Sequence, residues 1–248
     1  MIIQKKILNN TLFIDIETVS VTAYFEELPE EMQTLWMKKS QKFNIDKERE
    51  MTPILAAGYY REKAGIFAEF AKIVCITVGY LSNDKGEEPA LRLKSFAGDE
   101  KVLLEEFNDL LNNYYDRPDE HYLCGHNIKE FDVPFLCRRC VVNGVELPRL
   151  LNISGKKPWQ VAHLLDTMEL WRFGDYKNYT SLALLAGTLG IPSPKDDIDG
   201  SMVGHVYWEE DDIDRIITYC EKDVVTVAQV VMKFAGMDLI GADQIAVA

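Results

Sequence analysis

The run TLFIDIET, residues 11–18, constrains this chain more than any other stretch. Its first six residues are mostly apolar and β-rich, with no Pro or Gly, so they read as a buried strand ending at the first acids. Asp15 nevertheless stands inside that run and Glu17 directly after it. Residues two apart on a strand point to one face, so the fold must be built around a carboxylate pair at a strand's end. Carboxylates in such a place are stable only when partnered or when they hold a cation.

Two later segments carry acids in complementary positions. GHNIKEFD, residues 125–132, places Asp132 near the start of a helix, after a Gly-His-Asn turn where the backbone can approach a ligand closely. YCEKD, residues 219–223, sets Tyr219 and Asp223 four apart, which stacks them on one helix face. Any one of these pairs occurs by chance; all three in order, on a strand, a turn into a helix and a late helix, form a specific combination. Clustered oxygen ligands are what Mg²⁺ or Mn²⁺ requires, and two such ions can cleave a phosphodiester.

The rest of the chain predicts the scaffold. Residues 26–60 are polar and helix-leaning, with Leu28, Met32, Leu35 and Trp36 at helical spacing, so a helical insertion of about residues 24–70 separates the first two strands. Strands are predicted over 73–81 and 91–96 around the turn SNDKGEEP, then a helix over 101–114 capped by Asp99. A strand over 122–124, a helix over 131–143 closed by Gly144 and a fifth strand over 161–165 follow. Asp166 and Glu169 have capping-box spacing, which favours a structural role for Asp166 over metal binding. Helices over 181–189 and 211–234 complete an α/β fold with a mixed five-stranded sheet flanked by helices. Residues 1–248 are expected to form a single domain.

Charge argues the other way from the acids. A net charge of −13 is unusual for an autonomous nucleic-acid binder, which presents a basic surface. The proposed acids would be offset by about four positive charges if two divalent ions bind. What remains implies modest affinity, a local basic strip, or a partner that supplies one. Lys38, Lys39 and Lys42 are candidates for a strip, as are Arg138-Arg139 and Lys156-Lys157, although a solvated face is the better account of each. No apolar run approaches the ~18 residues of a membrane span and no secretion signal is present, so the expectation is a soluble, cytoplasmic protein without membrane contact. The five cysteines sit mostly in apolar surroundings and read as reduced, buried thiols; Cys137-Arg-Arg-Cys140 has no second pair with which to bind zinc. In KDDIDG, aligning Gly200 with the glycine of a calcium loop puts Lys195 at the first ligand and Val206 at the last, which excludes that reading.

The three segments together resemble the DEDD superfamily of 3′-to-5′ exonucleases, whose three motifs they match in order. The chain is most similar to the proofreading exonuclease domain of family B DNA polymerases, in particular to stand-alone bacterial proteins related to that domain. The resemblance implies an RNase H-like fold, two Mg²⁺ or Mn²⁺ ions, and nucleic acid as substrate, with single-stranded DNA expected before RNA and a replication or repair protein as a further partner. It makes Asp15, Glu17, Asp132 and Asp223 the four acids and Tyr219 the residue of the tyrosine subgroup; the histidine subgroup would place His at position 218, which is Thr218 here. By the same resemblance Asp15 bridges both ions, Glu17 and Asp223 complete the site of the attacking water, and Asp132 serves the second ion. Thr18 and Asn127 are expected to contact the terminal nucleotide. A chain of 248 residues leaves no room for a polymerase module, so it is not expected to proofread synthesis of its own.

Two other functions share these residues. A catalytically silent nucleic-acid-binding or scaffolding module would keep the fold, yet gains nothing from four buried acids without metal. A phosphatase with Asp15 as nucleophile would leave Asp132 and Tyr219 without roles.

Overall fold

The TLFIDIET run lies in β1 (Thr11–Ser20), the third strand across a six-stranded sheet, in a computed structural model that describes residues 2–44, 50–82, 89–177, 179–192 and 197–247. The sheet order is β5-β4-β1-β2-β3-β6. β2 (Ala71–Ser82) pairs antiparallel with β1 from Leu12↔Tyr80 to Ser20↔Ala71, whereas β4 (Tyr122–Gly125) pairs parallel with it only from Thr11↔Tyr122 to Phe13↔Cys124. The expected end of the first strand at its acids is therefore corrected: β1 runs on to Ser20, and what ends before Asp15 is its pairing with β4. The register shifts between Glu17 and Thr18, a bulge of the kind that redirects side chains beside functional sites.

β3 (Ala90–Ala97) forms a hairpin partner for β2, with Ser82↔Ala90 as its last pair. The turn between them, residues 83–88, lies outside the described residues, as do residues 195 and 196 of KDDIDG. β5 (Leu164–Asp166) is parallel to β4 and shorter than its predicted span. The expected five strands become six because Ile245–Val247, β6, adds in parallel to β3; three residues are too few to display a strand's alternation.

Two helices form the insertion between β1 and β2: α1 (Glu30–Ser40) and α2 (Pro53–Lys63). After the hairpin come α3 (Glu100–Tyr114), capped by the Asp99 carboxylate on the N–H groups of Lys101 and Val102, and α4 (Asp132–Asn143), closed by Gly144 at φ 66°. Short helices α5 (Thr167–Arg172), α6 (Leu182–Thr188) and α7 (Val203–His205) lead to the long α8 (Ile213–Ala235). The alternation in β1 sorts these layers. Leu12, Ile14 and Ile16 pack with Leu103, Leu104 and Phe107 of α3 and Val133 and Leu136 of α4. Phe13 packs on the other side with Val224, Val227, Ala228 and Val231 of α8. Asp15 and Glu17 share the parity of Phe13 and so face α8, whose buried valines hold it there with roughly 1.5–3 kcal/mol each.

Arg139, one of the candidates for a basic strip, is instead buried. Its Nε and Nη2 donate to the two Glu100 oxygens at 2.8 and 2.6 Å, and Nη1 donates to the Ala68 carbonyl at 2.8 Å. Glu100 also accepts from the Ile73 N–H and from Asn143. This one pair ties α3, α4 and the start of β2 together. Cys137 and Cys140 in the same helix are core thiols: Cys137 donates to the Leu151 carbonyl, Cys140 accepts from Asn108, and burial pushes Cys137 up to about 12.

The insertion has its own core around Trp36, which is fully buried, donates to the Ala56 carbonyl at 2.9 Å and meets Tyr60 and Phe70 edge-on. Its lysines serve this core. Lys39 pairs with Glu69 at 3.2 Å and lies 4.4 Å over the Phe67 ring, while Lys42 lies 4.9 Å over the same ring. Replacing Lys38, Lys39 and Lys42 together by Glu is accordingly expected to leave nucleic-acid affinity within about twofold, with a stability loss on the order of 1 kcal/mol from the cation–π contacts. Fluorescence anisotropy at two salt concentrations checks this; a tenfold loss with a shallower salt slope would assign the strip to the substrate.

Candidate active site

Asp15 and Glu17 sit where β1 has lost its β4 neighbour, and that open edge lets a third acid in. The Ile16 N–H donates to the carboxylate of Asp132, the first residue of α4, which lies at 4% exposure beside β1. α8 brings the rest. Tyr219 donates its phenol to Asp223 one turn on, and the charges of Glu17 and Asp15 also act on it. Strand, helix start and long helix thus converge on one place.

The electrostatics there are one-sided. Burial first, and then the charges of Glu17, Asp132 and Asp223, hold Asp15 well above the ordinary carboxylate range. Burial and the charge of Asp223 do the same to Glu17, and burial holds Asp132 at about 7. Burial and the neighbouring acids drive the Tyr219 phenol above its usual value, so it stays protonated at neutral pH and is a donor rather than a base. Acids that desolvate and repel one another fit a divalent cation, because its charge reverses every one of these penalties.

The ligand spacing adds a detail. Among the described residues, the group whose donor atoms all lie within 4.8 Å of one another is Asp15, Glu17 and Cys220. Asp132 and Asp223 act on it by charge but stand outside that spacing. Cys220 is the residue the sequence analysis missed as a neighbour of the acids; its signal was its place in YCEKD, three residues before Asp223 and hence on the same helix face.

The turn before α4 is held rigidly. Asp166 accepts from the N–H groups of Asn127 at 2.9 Å and Lys129 at 3.2 Å while capping α5 through Met168 and Glu169, so it is a structural clamp. His126 is fixed between the Thr167 hydroxyl and the Thr180 carbonyl. Asn127 is held at φ 64°, and its side-chain Oδ1 is buried without a hydrogen-bond partner. The Thr18 hydroxyl, in contrast, is engaged: it donates to the Gly65 carbonyl at 2.7 Å and pins the insertion beside the acids.

A cleft of about 890 Å³ opens from Glu17 and Thr18 between the insertion and the α7 region, with Tyr24, Phe131 and Trp208 among its walls. Arg61 of α2 meets Glu209 at 2.5 Å across it, and Trp208 donates to the Ser20 carbonyl.

The acids' proton affinities give a prediction. The folded chain binds these protons more tightly than the unfolded chain, whose acids titrate near 3.8 and 4.5. Their stabilising share is full below those values and is lost as pH rises through about 7, the value of Asp132, and beyond. Burial lowers His126 and His163, which act in the opposite sense with or without a cation. The readout is therefore the gap in melting temperature between Mn²⁺-loaded and chelated protein, which should widen from about pH 5 to about pH 8. A gap that is constant or narrows would contradict it.

The sequence model of a family described as predicted 3′-5′ exonuclease related to the exonuclease domain of PolB matches residues 66–239, a span that includes Asp132, Tyr219 and Asp223 and leaves Asp15 and Glu17 before it. Among solved structures, the family B DNA polymerase from the hyperthermophilic archaeon Pyrobaculum calidifontis is similar at TM-score 0.54 and 17% identity, over 90% of this chain and 24% of the polymerase. A structure of the yeast NOT1 MIF4G domain co-crystallized with CAF1 matches at TM-score 0.41 and 13% identity, over 96% of this chain and 84% of that one. No curated protein matches this chain. Among the described residues, no helix is long and apolar enough to cross a membrane.

Proposed function

We propose that this chain, which belongs to the family of predicted 3′-5′ exonucleases related to the exonuclease domain of PolB, removes nucleotides one at a time from the 3′ hydroxyl end of nucleic acid, single-stranded DNA foremost. The observation that carries the proposal is the convergence of Asp15, Glu17, Asp132 and Asp223 from three elements, with acid charges acting on acid. Asp15, Glu17, Asp132 and Asp223 would hold two Mg²⁺ or Mn²⁺ ions. Bound there, the ions supply the Lewis acidity that lets water attack near neutral pH and neutralises charge on the departing 3′ oxygen. Water adds to phosphorus, the bond to the 3′ oxygen breaks, and the products are a 5′-mononucleotide and a new 3′ hydroxyl.

The remaining residues position the substrate. Tyr219, protonated and bonded to Asp223, orients that carboxylate and any water beside it, which is the tyrosine-subgroup assignment. Asn127, with its unpartnered Oδ1, offers an acceptor to the terminal nucleotide, and Thr18, whose hydroxyl donates to Gly65, keeps an acceptor oxygen for the same contact. The cleft beside Glu17 suits unstacked bases against Tyr24, Phe131 and Trp208, hence the preference for single-stranded or frayed ends. The net charge of −13 makes unaided binding weak and salt-sensitive, and a replication or repair partner with a basic surface would strengthen it.

The test sets p-nitrophenyl phosphate beside end-labelled single strands and blunt, GC-rich duplex. The expected outcome is shortening of the single strand, slower shortening of the duplex, and an untouched phosphate ester. Ester hydrolysis alone would make Asp15 a phosphatase nucleophile, and binding without any hydrolysis would make the chain a silent module.

A further inference from the structure

The cleft beside the acids carries its charges unevenly. Among the described residues that line it are four carboxylates, Glu17, Glu26, Glu62 and Glu209, and one lysine or arginine, Arg61. A strand with a phosphate at every nucleotide enters such a cleft only where a cation meets it. We infer that Arg61 binds a backbone phosphate of the single strand in this cleft, and that Glu209 holds its guanidinium while the cleft is empty. The inference deepens the reading above of an exonuclease acting on single strands and rests on it.

Arg61 is aimed by rigid parts. It lies in α2 next to Tyr60, which is buried, meets Trp36 edge-on and joins its hydroxyl to that of Thr22 at 2.9 Å, just past the end of β1. Four residues after Arg61, the Gly65 carbonyl accepts the hydroxyl of Thr18, the neighbour of Glu17. The chain is therefore fixed to β1 on both sides of Arg61, and the arginine side chain, 70% exposed, is what remains free to swing. The phosphate that is cut belongs at the acids, so the one within reach of the cleft wall is a neighbouring phosphate. A guanidinium suits it, because its fork gives two parallel hydrogen bonds to phosphate oxygens.

The present partner of Arg61 can be exchanged. Arg61 Nη2 meets Glu209 Oε1 at 2.5 Å, an exposed pair worth at most about fivefold in an equilibrium. Glu209 is not stranded when the guanidinium turns away, since its Oε2 lies 3.1 Å from His205 Nδ1 and its side chain is in contact with solvent. Carboxylate and phosphate thus compete for one guanidinium across the cleft. The basic clusters singled out in the sequence are engaged elsewhere: Lys39 and Lys42 cover Phe67, and Arg139 is buried with Glu100.

The experiment is a double-mutant cycle on Arg61→Gln and Glu209→Gln. Anisotropy of a labelled single-stranded DNA, at low salt with chelator, reads affinity without cleavage, and shortening of the same strand with Mn²⁺ reads turnover. Arg61→Gln should weaken binding roughly tenfold and flatten the slope of log affinity against log salt by about 0.7, with KM raised and kcat within about twofold. Arg61→Lys should restore the slope and part of the affinity. Glu209→Gln should tighten binding about two- to fivefold on its own, and by under about 1.5-fold in the Arg61→Gln background. Both side chains are in contact with solvent, so every variant should melt within about 2 °C of wild type, which separates a lost contact from a lost fold. Equal gains from Glu209→Gln in both backgrounds, or an Arg61→Gln affinity within twofold of wild type, overturn the inference and leave the exonuclease reading intact where the strand is shortened. Binding without shortening ends the exonuclease reading, and the affinity cycle still decides the role of Arg61. Neither binding nor shortening overturns both.

Discussion

Asp223→Asn should abolish removal of 3′ nucleotides to below detection, whereas Tyr219→Phe on the same helix face should retain a measurable rate. The two side chains are hydrogen-bonded neighbours with different proposed tasks. Asp223→Asn removes a negative charge from the proposed cation site, so coordination should weaken as well as turnover. Tyr219→Phe removes one hydrogen bond to a charged group, worth about 1.5–3 kcal/mol, or roughly ten- to a hundredfold in rate. Both substitutions conserve volume, so the helix should keep its packing. Calorimetry with Mn²⁺ checks the division: binding lost in Tyr219→Phe and kept in Asp223→Asn would reverse the assignment.

Arg139→Met should destabilise the fold by about 3–5 kcal/mol, a large share of the 5–15 kcal/mol typical of a native protein. Arg139 and Glu100 are 7% and 10% exposed, so the substitution strands a buried carboxylate among the Ile73 N–H and Asn143. Replacing both partners, Arg139→Met with Glu100→Gln, should recover part of the loss, because no uncompensated charge remains. Urea unfolding reads the effect as a lower midpoint at unchanged slope. A loss under about 1 kcal/mol would mean that water or another donor replaces the guanidinium. The pair matters to the site because it anchors α4, which carries Asp132, to the chain entering β2.

The parts of this site that follow from local periodicity were legible in the sequence. Alternation on β1 puts Asp15 and Glu17 on one face, and helical spacing stacks Tyr219 on Asp223; neither depends on distant chain. The capping role of Asp166 was readable for the same reason, although its grip on the Asn127 and Lys129 N–H groups was not. What brings Asp132 beside Asp15 is the end of β4 pairing after Phe13↔Cys124, and no local pattern announces where a neighbouring strand stops. Cys220 was read as one more core thiol because its partner, Asp15, is 205 residues away. Lys39 and Lys42 read as a solvated face because the rings they cover, Phe43 and Phe67, come together only when the insertion folds. β6 was too short to carry a pattern at all.

The acids of three elements are proposed to form one cation site that cleaves the last phosphodiester of a strand. The most direct measurement uses one single-stranded DNA labelled in turn at its 5′ and its 3′ end, incubated with the protein and Mn²⁺, Mg²⁺ or chelator. The 5′ label should give a descending ladder and the 3′ label an immediate release of mononucleotide, with neither product under chelation or with Asp15→Asn. Products that persist under chelation, or a mononucleotide released first from the 5′ label, would contradict it.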